Sequence, residues 1–161
     1  MSNGKNTNGN GTVARDIEEA GLYLLIDDIS MASVKDAIRF IIERNLDVKA
    51  NPVMKLIVSS NGGDLSSAFA LVDAIKGSKI PVMTVGLGVI ASAGLLVFIS
   101  GEPGCRTLTP NTSILSHQYS GGVWGKEHEL FSVQREFELT TERMLSCLLY
   151  TSDAADDTPC V

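Results

Sequence analysis

Positive charge is in short supply in this chain. Thirteen Lys and Arg face nineteen Asp and Glu across 161 residues, a formal net charge of −6. Binding to phosphate or nucleic acid therefore has no electrostatic support, and acidity of this size serves mainly solubility. Long apolar runs are also lacking. The best candidate, Ile80 to Ser100, is interrupted by Pro81, Gly86, Gly88 and Gly94 and by Thr84 and Ser92. It reads as a buried strand followed by a buried helix, not as a membrane span. The opening residues, MSNGKNTNGNGT, lack the apolar stretch of a signal peptide. Cysteine is sparse: Cys105, Cys147 and Cys160 show neither metal-ligand spacing nor an even-numbered disulfide framework. That points to a reducing, cytoplasmic setting. No P-loop is present, and no metal or other resident cofactor is implied. What the chain does have is 44% apolar residues, enough for one domain with a substantial core.

Residues 1–12, rich in Asn and Gly, are expected to form a flexible segment. Leu22 to Ile26 reads as a buried strand. Ser33 with Asp36 gives a capping-box signal, and Val34, Ala37, Ile38, Ile41, Ile42 and Leu46 repeat at helical spacing behind it, so Ser33 to Asn45 is expected to be a helix. Val53 to Ser59 is a second strand, broken by Asn61-Gly62-Gly63-Asp64. Leu65, Ala68, Phe69, Val72 and Ile75 mark a helix ended by Gly77. Pro81 to Gly86 is a third strand and Ala91 to Ser100 a charge-free, buried helix. Arg106 to Leu108 and Ser113 to Ser116 are short strands, and Lys126 to Tyr150 carries a helical stripe of Leu130, Val133, Phe137, Met144 and Leu148. Alternating strands and helices predict an α/β fold with a mostly parallel sheet. Sites in such sheets lie at the carboxyl ends of the strands.

Acyl transfer needs a nucleophile, a base and backbone donors for an oxyanion. Ser92 stands where a strand gives way to a helix, among small neighbours, with the Ala93 N–H beside it. His117 ends a strand just before Gly121-Gly122, whereas His128 lies in a charged helical segment. Gly62-Gly63 ends another strand, so the Gly63 N–H is a second candidate donor. Each also has a plainer reading: a small polar residue filling a tight turn, a hydrogen-bonded structural histidine, and a simple glycine turn. Their order on an α/β pattern favours the chemical one.

The runs Ser59-Ser60-Asn61-Gly62-Gly63-Asp64, Gly88 to Gly94 with Ala91-Ser92-Ala93-Gly94, and Ser116-His117-Gln118 with Gly121-Gly122 resemble the proteolytic subunit of the Clp protease. The 25-residue step from Ser92 to His117 is similar too. The resemblance covers residues 13–146 and implies a Clp/crotonase-like fold with repeated β-α units and a long protruding handle helix over Lys126 to Ser146. It implies homo-oligomeric rings, usually two stacked heptamers, around a proteolytic chamber. It also implies Ser92 as nucleophile, His117 as general base, and the N–H groups of Gly63 and Ala93 as the oxyanion hole. Residues after Gly121-Gly122 would pair with substrate. A hexameric Clp-type ATPase would use the ATP and deliver unfolded protein.

Departures are Asn61 where the family usually has Pro, Ala93 where it usually has Met, and a triad Asp that falls beyond the last residue. Asp153, Asp156 and Asp157 are poor substitutes for it. From Cys147 onward CLLYTSDAADDTPCV leaves the family pattern and resembles translated adapter sequence, so residues 147–161 are expected to be a non-native tail. Two other functions compete with the peptidase. One is a non-catalytic ring or scaffold subunit. The other is an enoyl-CoA hydratase or isomerase relative, for which Asp64 and Glu102 are the only nearby acids. A membrane serine/lysine peptidase lacks both its Lys and its anchor.

Overall fold

The computed structural model of the protein describes residues 17–47, 52–120, 122 and 126–151. Expectations for residues 1–12, for the stretch 123–125 and for everything past Thr151 lie outside the described residues, as do the side chains of His128 and Leu130.

Strand β1 (Leu22–Ile26) falls on the apolar run read from the sequence. Strand β2 (Met54–Ser60) alternates as a one-sided strand must: Met54, Leu56, Val58 and Ser60 are buried, and Lys55, Ile57 and Ser59 are half-buried. Between them helix α1 (Met31–Leu46) buries Val34, Ala37, Phe40, Ile41 and Arg44 along one stripe. Its start corrects the expected cap. Ser30 is the N-cap and Ser33 is the third helical residue, each hydroxyl serving the other's backbone N–H, at 3.2 Å from Ser33 N to Ser30 Oγ and 3.0 Å in the reverse direction. Asp36 instead pairs with Arg39 on the surface at 3.5 Å. Two serines three apart make a closed box, so the helix starts one turn earlier than Ser33 alone suggests.

Helix α2 (Leu65–Lys76) is capped by Asp64, which accepts from the Ser67 N–H at 2.7 Å and from the Ser67 hydroxyl. Gly77 does end it, in a right-handed conformation at φ −81°. Strand β3 (Val82–Ala91) runs five residues past the expected end at Gly86, so helix α3 begins only at Ala93 (Ala93–Ile99). Short strands β4 (Arg106–Leu108) and β5 (Ser113–Leu115) follow, then the long helix α4 (Glu127–Thr151). The sheet runs β1-β2-β3-β4, with β5 also on β3, and every pairing is parallel. One core joins the inward residues of β1 to β3 with α1, α2 and α3. A smaller cluster of Val72, Leu96 and Cys147, flanked by Phe69, Met144 and Leu148, docks the second half of α4 on α2 and α3. At 25 residues α4 is about 38 Å long, and it exposes Phe131 and Leu149. No described helix is long and apolar enough to cross a membrane.

The hydrogen bonds from Ser67 hold the Asp64 carboxyl below its ordinary value of 3.8. A folded-state pKa below the unfolded one stabilises the fold above about pH 4, and that gain fades as pH falls through the folded pKa. Asp64→Ala should therefore cost about 1 kcal/mol in urea unfolding at pH 7. The gap between parent and variant should narrow below pH 4, and a gap independent of pH would refute the cap assignment.

Candidate active site

Three strands deliver their carboxyl ends to one place because β3 changes partners along its length. Thr84 to Gly86 pair with β4, and Val89 to Ala91 pair with β5. Between these segments Val58 lies opposite Gly86 but Ser60 lies opposite Ile90. Two steps on β2 thus match four on β3, and the surplus bulges at Leu87 to Val89 with Gly88 at φ 64°. The Gly86 carbonyl accepts from the Thr109 N–H at 3.1 Å and from the Thr112 hydroxyl at 2.8 Å. That anchors the bulge to the β4–β5 turn.

Beyond the bulge stands Ser92, at φ 51° and ψ −124°. It is the only non-glycine residue with positive φ among the described residues. Such a conformation costs a side-chain-bearing residue about 1–3 kcal/mol, and here it makes the elbow between β3 and α3. Ser92 occupies the N-cap position of α3, yet its side chain makes no capping bond. Among the described residues its hydroxyl has no partner. Its N–H is engaged, donating to the Leu115 carbonyl at 3.0 Å, which ties the elbow to the end of β5.

The glycine turn after β2 is clamped from both sides. On one side Ile29 N–H donates to Gly62 O at 2.7 Å, and Asp64 N–H donates to Ile29 O at 2.8 Å. A Cβ on Gly63 would come within 2.2 Å of Ile29 O, so no side chain fits there. On the other side a Cβ on Gly62, at φ 104°, would lie 2.6 Å from Ser92 Cβ and 3.1 Å from Ala93 N. The turn therefore lies against the elbow. The buried Ser60 hydroxyl accepts from the Gly62 N–H at 3.1 Å. This leaves the N–H groups of Gly63 and Ala93, neither with an acceptor among the described residues, on adjacent stretches of backbone.

His117 follows β5 and is exposed. It shares with Ser92 a cleft of about 450 Å³ whose walls include Leu65, Leu95 and Leu96 on one side and Met144, Leu145 and Leu148 of α4 on the other. No hydrogen bond joins Ser92 to His117. Two residues on, the Tyr119 hydroxyl reaches α4, lying 2.9 Å from Phe137 O and 3.0 Å from Thr141 Oγ1. No described residue lining the cleft is a carboxylate. Asp64 is spent on the α2 cap. Glu102 sits at the opposite end of the sheet, its N–H donating to Val82 O at 2.8 Å. Among the described residues, carboxylate-driven proton transfer of the hydratase kind thus has no group in this cleft. A larger cleft of about 600 Å³ between α2 and α4 is lined by Cys147, whose thiol burial pushes up in pKa. Sequence reasoning missed Ser60, the Leu115 carbonyl and Tyr119. Only Ser60 carried a readable signal, a hydroxyl two residues before a glycine turn.

A family profile described as Clp protease matches residues 17–157. The chain is 31% identical over 128 residues to ATP-dependent Clp protease proteolytic subunit 2 of Treponema pallidum (strain Nichols), covering 78% of this chain and 63% of that protein. It is 37% identical over 91 residues to ATP-dependent Clp protease proteolytic subunit 3 of Rhizobium meliloti (strain 1021), covering 56% of this chain and 47% of that one. The matches thus span between about half and two-thirds of these curated relatives. A mutant ClpP1 from Listeria monocytogenes superposes with a TM-score of 0.75 at 23% identity, covering 87% of this chain and 77% of that one. That likeness shows the fold, and it is the Clp/crotonase-like one.

Contact between turn and elbow separates two glycine substitutions. Gly62→Ala meets Ser92 Cβ and Ala91 O, whereas Gly104→Ala, also at positive φ, meets nothing within 4 Å. Gly104→Ala should cost only the backbone strain of about 1–2 kcal/mol, and Gly62→Ala should cost that plus about 1–3 kcal/mol of overlap. Equal losses in urea melts would mean that the turn does not press on Ser92.

Proposed function

Because the chain belongs to the Clp protease family, we propose that it is a serine-type endopeptidase subunit in which Ser92 is the nucleophile and His117 the general base. The observation that carries this reading is the Ser92 backbone. A strained elbow holds an uncapped hydroxyl against a glycine turn, in the cleft that His117 also lines. His117 takes the hydroxyl proton as Ser92 Oγ attacks the carbonyl carbon of a peptide bond. The negative charge that develops on the carbonyl oxygen is met by the N–H groups of Gly63 and Ala93. His117 then gives its proton to the leaving amine, and water, deprotonated in turn by His117, hydrolyses the acyl ester. The apolar walls of the cleft suit a large apolar side chain on the acyl side of the cut.

At the level of the assembly, the chain forms rings with copies of itself, stacked as double heptamers, and works in the cytoplasm. A hexameric Clp-type ATPase unfolds the protein substrates and supplies them at the expense of ATP. The subunit itself needs no cofactor, metal, nucleic acid or membrane. A second reading, a ring subunit without catalysis, is favoured by one feature. No described carboxylate stands in the cleft to orient the imidazole, which in a related triad is worth about 10⁴-fold in rate.

Labelling by a fluorophosphonate decides between the two. The parent should acquire the label, Ser92→Ala should not, and His117→Ala should react about 10³-fold or more slowly. A parent that stays unlabelled under conditions where it is folded would sink the peptidase reading in favour of the scaffold.

A further inference from the structure

The loop that carries His117 has little to hold it. Of residues 116–120 only Tyr119 is not exposed. Upstream, the loop leaves β5 at Leu115, whose carbonyl is tied to the Ser92 N–H. Downstream, the Tyr119 ring lies 6.4 Å from the Phe137 ring, and its hydroxyl sits in a triangle with Phe137 O and Thr141 Oγ1 on α4. Each anchor is two residues from His117, a reach of about 7 Å even when fully extended. We propose that Tyr119 is a positioning residue for His117: its hydroxyl, seated on α4, holds the imidazole-bearing loop beside Ser92. The tether supplies orientation in a cleft where no described carboxylate does so, and it makes the placement of the base depend on the docking of α4. The proposal rests on His117 being the base.

Tyr119→Phe removes the hydroxyl and keeps the ring, and Thr141→Val removes one of its two partners on α4, leaving Phe137 O in place. Fluorophosphonate labelling of the parent and variants is resolved into a maximal rate and a half-saturating concentration. Tyr119→Phe should lower the maximal rate about five- to tenfold, the size of one lost neutral hydrogen bond, with half-saturation and melting temperature unchanged. Thr141→Val should act in the same direction. In a His117→Ala background Tyr119→Phe should change nothing, because the residue it acts through is gone. The chain has two histidines, so proton NMR gives a second readout that needs no activity. Tyr119→Phe should shift or broaden the imidazole signal that His117→Ala removes, and leave the His128 signal in place. Equal slowing in the His117→Ala background, or an unmoved His117 signal, overturns the tether. A parent that is never labelled, with a His117 signal that still responds to Tyr119→Phe, overturns the base assignment and leaves the tether standing.

Discussion

Everything at the site depends on how β3 divides itself between two neighbours. A straight β3 would pair with a single strand from Val82 to Ala91. The surplus residues at Leu87 to Val89 break that continuity, and the Gly86 carbonyl is fastened to Thr109 and Thr112 at the break. The first half of β3 belongs to the core, where Val82 and Thr84 are buried. The second half also buries Ile90 and Ala91, and it runs alongside β5 up to Ser92. The bulge thus lets one continuous strand change neighbours from β4 to β5 while staying packed in the core, and Ser92 follows at its end. It also places Leu115 where its carbonyl meets the Ser92 N–H.

A second constraint is the absence of side chains at points where backbones must approach. Gly62 rests on the Ser92 elbow, Gly63 on Ile29, and a Cβ on Gly94 would come within 3.0 Å of Ser60 Cβ. Close approach is what brings the Gly62-Gly63 turn against the backbone at Ser92 and Ala93. Ser60 contributes by satisfying the Gly62 N–H internally, so the turn presents the Gly63 donor and not its neighbour. On the proposed reading, donors built into a rigid backbone are spared reorganisation when charge appears on a bound carbonyl oxygen.

Much of this was legible in residue types. β1 and β4 fall on their expected residues, because short apolar or β-branched runs bounded by turns leave little choice. Ser92, His117 and Gly63 were picked out by chemistry and order, and the first two do line one cleft. Glycines at 86 and 88 made β3 look finished too soon; only the Thr109 and Thr112 bonds reveal a bulge in place of an end. The start of α1 was ambiguous because either Ser30 or Ser33 can cap, and pairing between them is a matter of three-dimensional geometry. Tyr119 was invisible for a different reason. Its partners lie 18 and 22 residues further along the chain, a separation that no local pattern encodes. The φ of Ser92 was equally unreadable, since nothing about the letter Ser announces a left-handed backbone.

That backbone has a bearing on how such a sequence drifts over generations. Glycine adopts the Ser92 conformation at little cost, and serine does not. Folding alone therefore pulls position 92 toward glycine, by a change that would make the molecule sturdier and leave its elbow intact. On the proposed reading, selection for chemistry is what keeps a hydroxyl at a site where stability argues for losing it. In a lineage released from that selection, position 92 is where decay would begin, and it would begin as an improvement in stability.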